Sequence, residues 1–104
     1  MELKWIASPD LYTIRIEQVL DALADSNRLR IVKMIHQAGG ELPCGSFSEK
    51  LGLGKPTVSH HFGILRASGI IATRTEGTQK LNVIRREELD KRFPGLMASI
   101  LLAE

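Results

Sequence analysis

Lys55-Pro56-Thr57-Val58-Ser59-His60-His61-Phe62-Gly63-Ile64-Leu65-Arg66-Ala67-Ser68-Gly69 is the stretch on which the fold turns. Pro56 suits a first helical turn, where its missing N–H is no loss, and Ser68-Gly69 is a stop signal; a helix from about Pro56 to Ser68 follows. At about 100° per residue, His61, Phe62 and Leu65 fall within about 60° of Val58 and form a core-facing stripe. Ser59, His60, Gly63 and Ala67 lie on the other side, flanked by Thr57 and Ile64. That outward face is small and polar, so it can approach base edges in a major groove, where hydroxyl and imidazole groups donate or accept. Lys55 and Arg66 border it and Lys50 precedes it, which supplies cations for phosphates.

Upstream, Ser46 or Phe47 opens a short helix to Leu51, and Gly52-Leu53-Gly54 is a tight turn, which completes a helix-turn-helix. Downstream, Ile70–Arg74 and Gln79–Ile84 are β-prone runs joined by the polar turn Thr75-Glu76-Gly77-Thr78, a hairpin that reads as a wing. Arg74, Thr75, Gly77 and Lys80 are its candidate phosphate contacts, with edge charges that discourage aggregation as the alternative use. Ser8-Pro9-Asp10 reads as the start of a first helix carrying Leu11, Ile16, Val19, Leu20 and Leu23. Ser26 reads as the cap of a second, with Leu29, Ile31, Val32 and Ile35 inward, His36 near its negative end and Gly39-Gly40 beyond. Arg86-Glu87-Glu88-Leu89 begins a last helix, interrupted at Pro94-Gly95 and followed by the apolar run Leu96–Leu102. The order is helix, helix, short helix, turn, helix, hairpin, helix. The fold class is therefore mainly α with a small β-hairpin, a winged helix-turn-helix in a single domain over residues 1–104.

Charge follows the same division. The net charge is +2. Between residues 47 and 86, Lys50, Lys55, Arg66, Arg74, Lys80, Arg85 and Arg86 face only Glu49 and Glu76, and both flanking segments are net acidic. A basic middle between acidic ends is the pattern of a polyanion-binding face. No apolar run approaches the roughly 18 residues of a membrane span, the N-terminus lacks a signal-peptide pattern, and one cysteine, Cys44, makes no disulfide framework; a soluble cytoplasmic protein is expected. No nucleophile–base pairing, phosphate-binding glycine loop or metal-ligand cluster points to an enzyme or a cofactor. The competing non-enzymatic reading, a winged-helix protein-interaction module, calls for an apolar outward face, and Ile64 is the only large apolar residue there.

Three segments resemble the ArsR/SmtB winged-helix repressors: Leu23–Ile31, Lys55–Phe62, and Leu65–Ile71 with Arg74–Gly77. The likeness covers roughly residues 15–90. It implies a homodimer joined by the first and last helices, two recognition helices in successive major grooves of a double-stranded operator, and repression relieved by an inducer of unknown identity. The density of apolar residues in Leu96–Leu102 agrees with a subunit contact, and Leu11, Ile16, Leu96, Met97, Ile100 and Leu101 are its candidates. Many relatives sense metals through a Cys-x-Cys; here Pro43 and Gly45 take those two positions and Cys44 lies between them. A lone thiol does not supply the soft ligands such a site uses. No histidine follows His61, so the family's other site lacks its ligands too, and no metal is expected. Adjacent on a helix, His60 and His61 point about 100° apart, so they do not share an ion, and His61 is expected in the core, hydrogen-bonded. Cys44 is expected to be inert, a thiol switch usually needing a resolving partner.

Overall fold

Asp25, not Ser26, starts the helix that organises the domain. In the computed structural model, which describes residues 3–103, Asp25 Oδ1 accepts hydrogen bonds from the backbone N–H groups of Asn27 (2.9 Å) and Arg28 (3.0 Å). These bonds, the one from Arg28 foremost, hold the Asp25 carboxyl below the usual carboxylate range. Arg28 Nε donates to the Ala22 carbonyl at 2.7 Å and so pins this helix, α2 (Ser26–Gln37), to the end of α1 (Ile16–Leu23).

The long first helix expected from Ser8-Pro9-Asp10 is instead a single 3₁₀ turn, Leu11–Thr13, then an extended step at Ile14 and Arg15, then α1. Asp10 caps the 3₁₀ turn and the Thr13 hydroxyl donates to the Asp10 carbonyl at 2.6 Å, while the β-branched pair Thr13-Ile14 disfavours helix continuation. The later start redistributes the apolar residues: Val19, Ala22 and Leu23 are buried, whereas Ile16 and Leu20 are 40% and 48% exposed.

After α2 come β2 (Glu41–Pro43), a 3₁₀ turn (Cys44–Ser46), α3 (Phe47–Leu51) and α4 (Lys55–Ala67). Phe47 and Phe62 meet edge to face, ring centroids 5.0 Å apart, and this contact fixes α3 against α4. The chain then forms β3 (Ile71–Glu76), β4 (Gln79–Ile84), α5 (Arg86–Arg92) and α6 (Leu96–Leu102). All strand pairs are antiparallel, in the order β1-β3-β4-β2, where β1 is Leu3–Trp5. The hairpin was expected; the two outer strands were not. Each has three residues, too few to show alternation, and Pro43 is tolerated because β2 is an edge.

One core joins the layers, built on Val19, Ile31, Val32, Ile35, Phe47, Leu65, Ile70, Ile71, Leu89 and Met97. Leu11, Met97 and Leu101, expected at a subunit contact, are core residues of the protomer, because α5 and α6 fold back over the 3₁₀ turn and α2. Leu96 and Ile100 are half-buried, and Leu102 is 78% exposed. Arg85 ties the hairpin's exit to the N-terminal segment: its guanidinium donates to the Pro9 carbonyl (2.7 Å) and pairs with Glu88 (2.7 Å), which lowers the Glu88 carboxyl.

Candidate nucleic-acid interface

α4 divides as its periodicity requires. Val58, His61, Phe62 and Leu65 are buried, while Lys55, Pro56, Thr57, Ser59, His60 and Ala67 are exposed and Gly63, Ile64 and Arg66 half-buried. Ile64 is partly packed against the core, which leaves the outward face still more polar. A methyl built on Gly63 meets nothing within 4 Å, so packing does not demand glycine there; its bareness is a property of the outer surface. His61 is buried as expected, but its Nδ1 finds no hydrogen-bond partner among the described residues, so packing rather than polar pairing holds the ring.

The helix is aimed by its two ends. Gly52 (φ +67°) turns the chain out of α3, and Gly69 (φ +79°) turns it out of α4, where Gly69 N–H donates to the Arg66 carbonyl and Ile70 N–H to that of Leu65. Lys50, exposed at the end of α3, has its carbonyl bonded by Arg30 Nη2 at 3.4 Å, which brings a second cation from α2 to the same place.

The wing carries a row of cross-strand partners, Lys4 on β1, Thr75 on β3 and Lys80 on β4. Directly opposite residues share a sheet face, and residues two apart on a strand do too. The row therefore lies on the face of Thr73, whose Oγ1 accepts from Arg66 Nη1 at 3.2 Å. Both lysines are exposed on the side of the wing turned toward α4, and Gly77 (φ +64°) closes the tip. Lys4 went unseen in the sequence because its strand is so short; Trp5-Ile6, β-prone and just ahead of Ser8-Pro9, is the signal that was there.

Arg74 is not a second cation of this row. It pairs across the hairpin with Leu81 and points to the opposite face. There both of its terminal nitrogens bond Glu41 on β2, one of them, Nη2, at 2.9 Å, and its guanidinium lies 5.8 Å from the centre of the Trp5 ring. With its side chain only 18% exposed, Arg74 braces three strands. The two arms of the hairpin are not equivalent: their register puts Arg74 and Lys80 on opposite faces.

A family described as "Helix-turn-helix domain" matches residues 23–74, from the end of α1 into β3. The HTH-type transcriptional regulator YceK of Bacillus subtilis is 35% identical over 83 residues, covering 80% of this chain and 83% of YceK. The chain belongs to the ArsR-type helix-turn-helix transcriptional regulators. Solved relatives share its architecture. HlyU from Vibrio vulnificus superposes with a TM-score of 0.63 at 32% identity, over 82% of this chain and 85% of that one. The transcriptional repressor BigR from Xylella fastidiosa gives 0.62 at 27% identity, over 86% and 88%.

In this ArsR-type regulator Pro43 and Gly45, the positions that the resemblance sets against the metal-sensing cysteines, fall at the end of β2 and in the 3₁₀ turn before α3. Cys44 is half-buried there, and its Sγ accepts from Asn82 Nδ2 at 3.0 Å. Among the described residues no three His, Cys, Asp or Glu side chains stand close enough to hold a metal ion, and no helix is long and apolar enough to cross a membrane. The regulator is a member of a DNA-binding family, not of an enzyme family.

Proposed function

We propose that the regulator binds an inverted-repeat operator as a homodimer, each protomer laying α4 in a major groove with its wing against the flanking phosphates. The observation that carries this reading is the outward side of α4: Thr57, Ser59, His60 and the bare Gly63 form a low polar surface, bordered by the exposed lysines Lys50, Lys55, Lys80 and Lys4. In that arrangement Ser59 and His60 read base edges, and Thr57 and Pro56 lie at the entry of the groove. Lys50, Lys55, Lys4 and Lys80 take phosphates, Arg66 takes one at the junction of helix and wing, and Thr75 and Gly77 form the wing's approach to the backbone. Arg74 acts behind this face as a brace.

Exposed apolar residues supply the dimer surface. Tyr12 (86% exposed), Ile16 and Leu20 recur every four residues, and Leu102 stands out from α6. Ile16 shares a depression with Leu96 and Ser99, so α1 and α6 present adjoining surface, continued by the half-buried Ile100. Large apolar groups left outside a core this small are covered by a second copy, and a two-fold contact repeats the recognition helix about 34–36 Å away, one helical turn of DNA. Relatives named as repressors support repression as the sign of control, and a regulator that binds an operator acts in the cytoplasm alongside the chromosome.

The test is titration of labelled promoter DNA, taken from upstream of the protein's own reading frame, at several salt concentrations. Two protomers per duplex and a log–log slope of about −0.9 per phosphate contact are expected. Failure to prefer that promoter over random duplex, or binding indifferent to salt, would leave the protein-interaction reading in its place.

A further inference from the structure

Two fully buried polar side chains sit back to back in the wing. Thr73 on β3 and Asn82 on β4 are cross-strand partners, both wholly inaccessible to solvent, and the Thr73 hydroxyl donates to Asn82 Oδ1 at 2.7 Å. A Val–Leu pair would fill the same space without the cost of desolvating a hydroxyl and an amide.

Their bonding order explains their presence. Arg66 Nη1 donates to Thr73 Oγ1 at 3.2 Å, and a guanidinium has no acceptor, so Thr73 must direct its one proton elsewhere. Asn82 Oδ1 takes it. That leaves the Asn82 amide N–H groups to face the Leu42 carbonyl (3.5 Å) and Cys44 Sγ (3.0 Å), which anchor the asparagine from the β2 side. The result is a one-way chain, from recognition helix to hydroxyl to amide to the β2–α3 segment, with every polar atom oriented by its neighbour. Its outer end is the half-buried Arg66, held at the corner between α4 and the wing.

We infer that Thr73 and Asn82 are positioning residues for DNA binding: they lock the Arg66 guanidinium into the orientation that meets a phosphate between the groove-reading helix and the wing. The inference rests on the operator-binding reading above. An arginine loose in solvent loses side-chain entropy when it meets a phosphate; one already held by a buried hydroxyl has lost most of it before DNA arrives. Neither Thr73 nor Asn82 touches DNA. Their effect passes through Arg66 alone.

A thermodynamic cycle on the full chain tests this, with titrations of promoter and random duplex across salt and urea melts of every variant. Thr73→Val should weaken binding roughly three- to tenfold on both DNAs and lower the salt slope by about one. Arg66→Ala should do the same or more, and Thr73→Val combined with Arg66→Ala should match Arg66→Ala alone. Thr73→Ser, which keeps the hydroxyl, should retain the wild-type slope. Thr73→Val with Asn82→Leu leaves no orphaned buried group, so it should recover stability lost by the single variant yet keep the reduced slope. Losses that add independently, a slope that returns with stability, or an Arg66→Ala variant that binds as wild type would each overturn the inference while wild-type operator binding stood. Only wild-type protein failing to bind would remove the reading beneath it.

Discussion

Gly69→Ala should damage this protein more than any other exchange of comparable size. The residue sits at φ +79°, where a Cβ costs about 1–2 kcal/mol. The added methyl would also overlap Leu11 Cδ2 and lie 3.3 Å from Ile14 Cγ1, both on buried residues of the N-terminal segment with no solvent to retreat into. Relieving such an overlap costs about 1–3 kcal/mol more. The combined loss of roughly 2–5 kcal/mol is a large part of a small domain's stability. Urea unfolding at one fixed protein concentration, needed because the stability of the proposed dimer depends on concentration, gives the difference directly. Thermal melts should fall by about 10–25 °C. Since Gly69 also sets the angle at which α4 leaves for the wing, folded protein that remains should bind operator less tightly. A loss below about 1 kcal/mol would refute the reasoning, for it would mean that the 3₁₀ turn at Leu11 is not held against the end of α4.

Gly63→Ala should do the opposite, stabilising the fold by about 0.5–1 kcal/mol in the same melts while lowering operator affinity, because its methyl points outward at open space. His60→Ala should cost affinity for operator far more than for random duplex, whereas Lys80→Ala should weaken both alike and reduce the salt slope; Arg74→Ala should leave that slope unchanged in the same titrations. Leu20→Glu should leave the helical circular dichroism intact yet yield monomers in sedimentation and abolish tight operator binding. Asp25 stabilises the folded state at pH values above the ordinary 3.8, because its folded carboxyl titrates lower, and that contribution is lost as pH falls through the lowered value. Acid unfolding followed by fluorescence should therefore begin at higher pH in wild type than its neutral-pH stability alone predicts, and Asp25→Ala should melt lower at pH 7 with less acid sensitivity.

Helix periodicity made α4 and its two faces legible, since four buried residues and a small polar opposite side leave one way to place the element. The hairpin was equally plain, with glycine at its turn between two β-prone runs. Register was not. Which of Arg74 and Lys80 faces α4 depends on pairing Thr75 with Lys80, and no local pattern in two six-residue strands states that pairing. The same limit hid β1 and with it Lys4. Among the candidate dimer residues, Leu11, Met97 and Leu101 were as apolar as Ile16, Leu96 and Ile100, and only the fold decides which of them the protomer keeps for itself.

The pairing of Leu3 with Glu76 also bears on how the protein is handled. β1 begins opposite the last residue before the hairpin's turn, so a purification tag added on its N-terminal side would be carried close to the wing proposed to meet nucleic acid, and a polyhistidine stretch there would bring its own titratable charge to the bench. Binding constants measured on such material would describe the tag's company as much as the regulator's own grip, so cleavage before titration is part of the experiment itself.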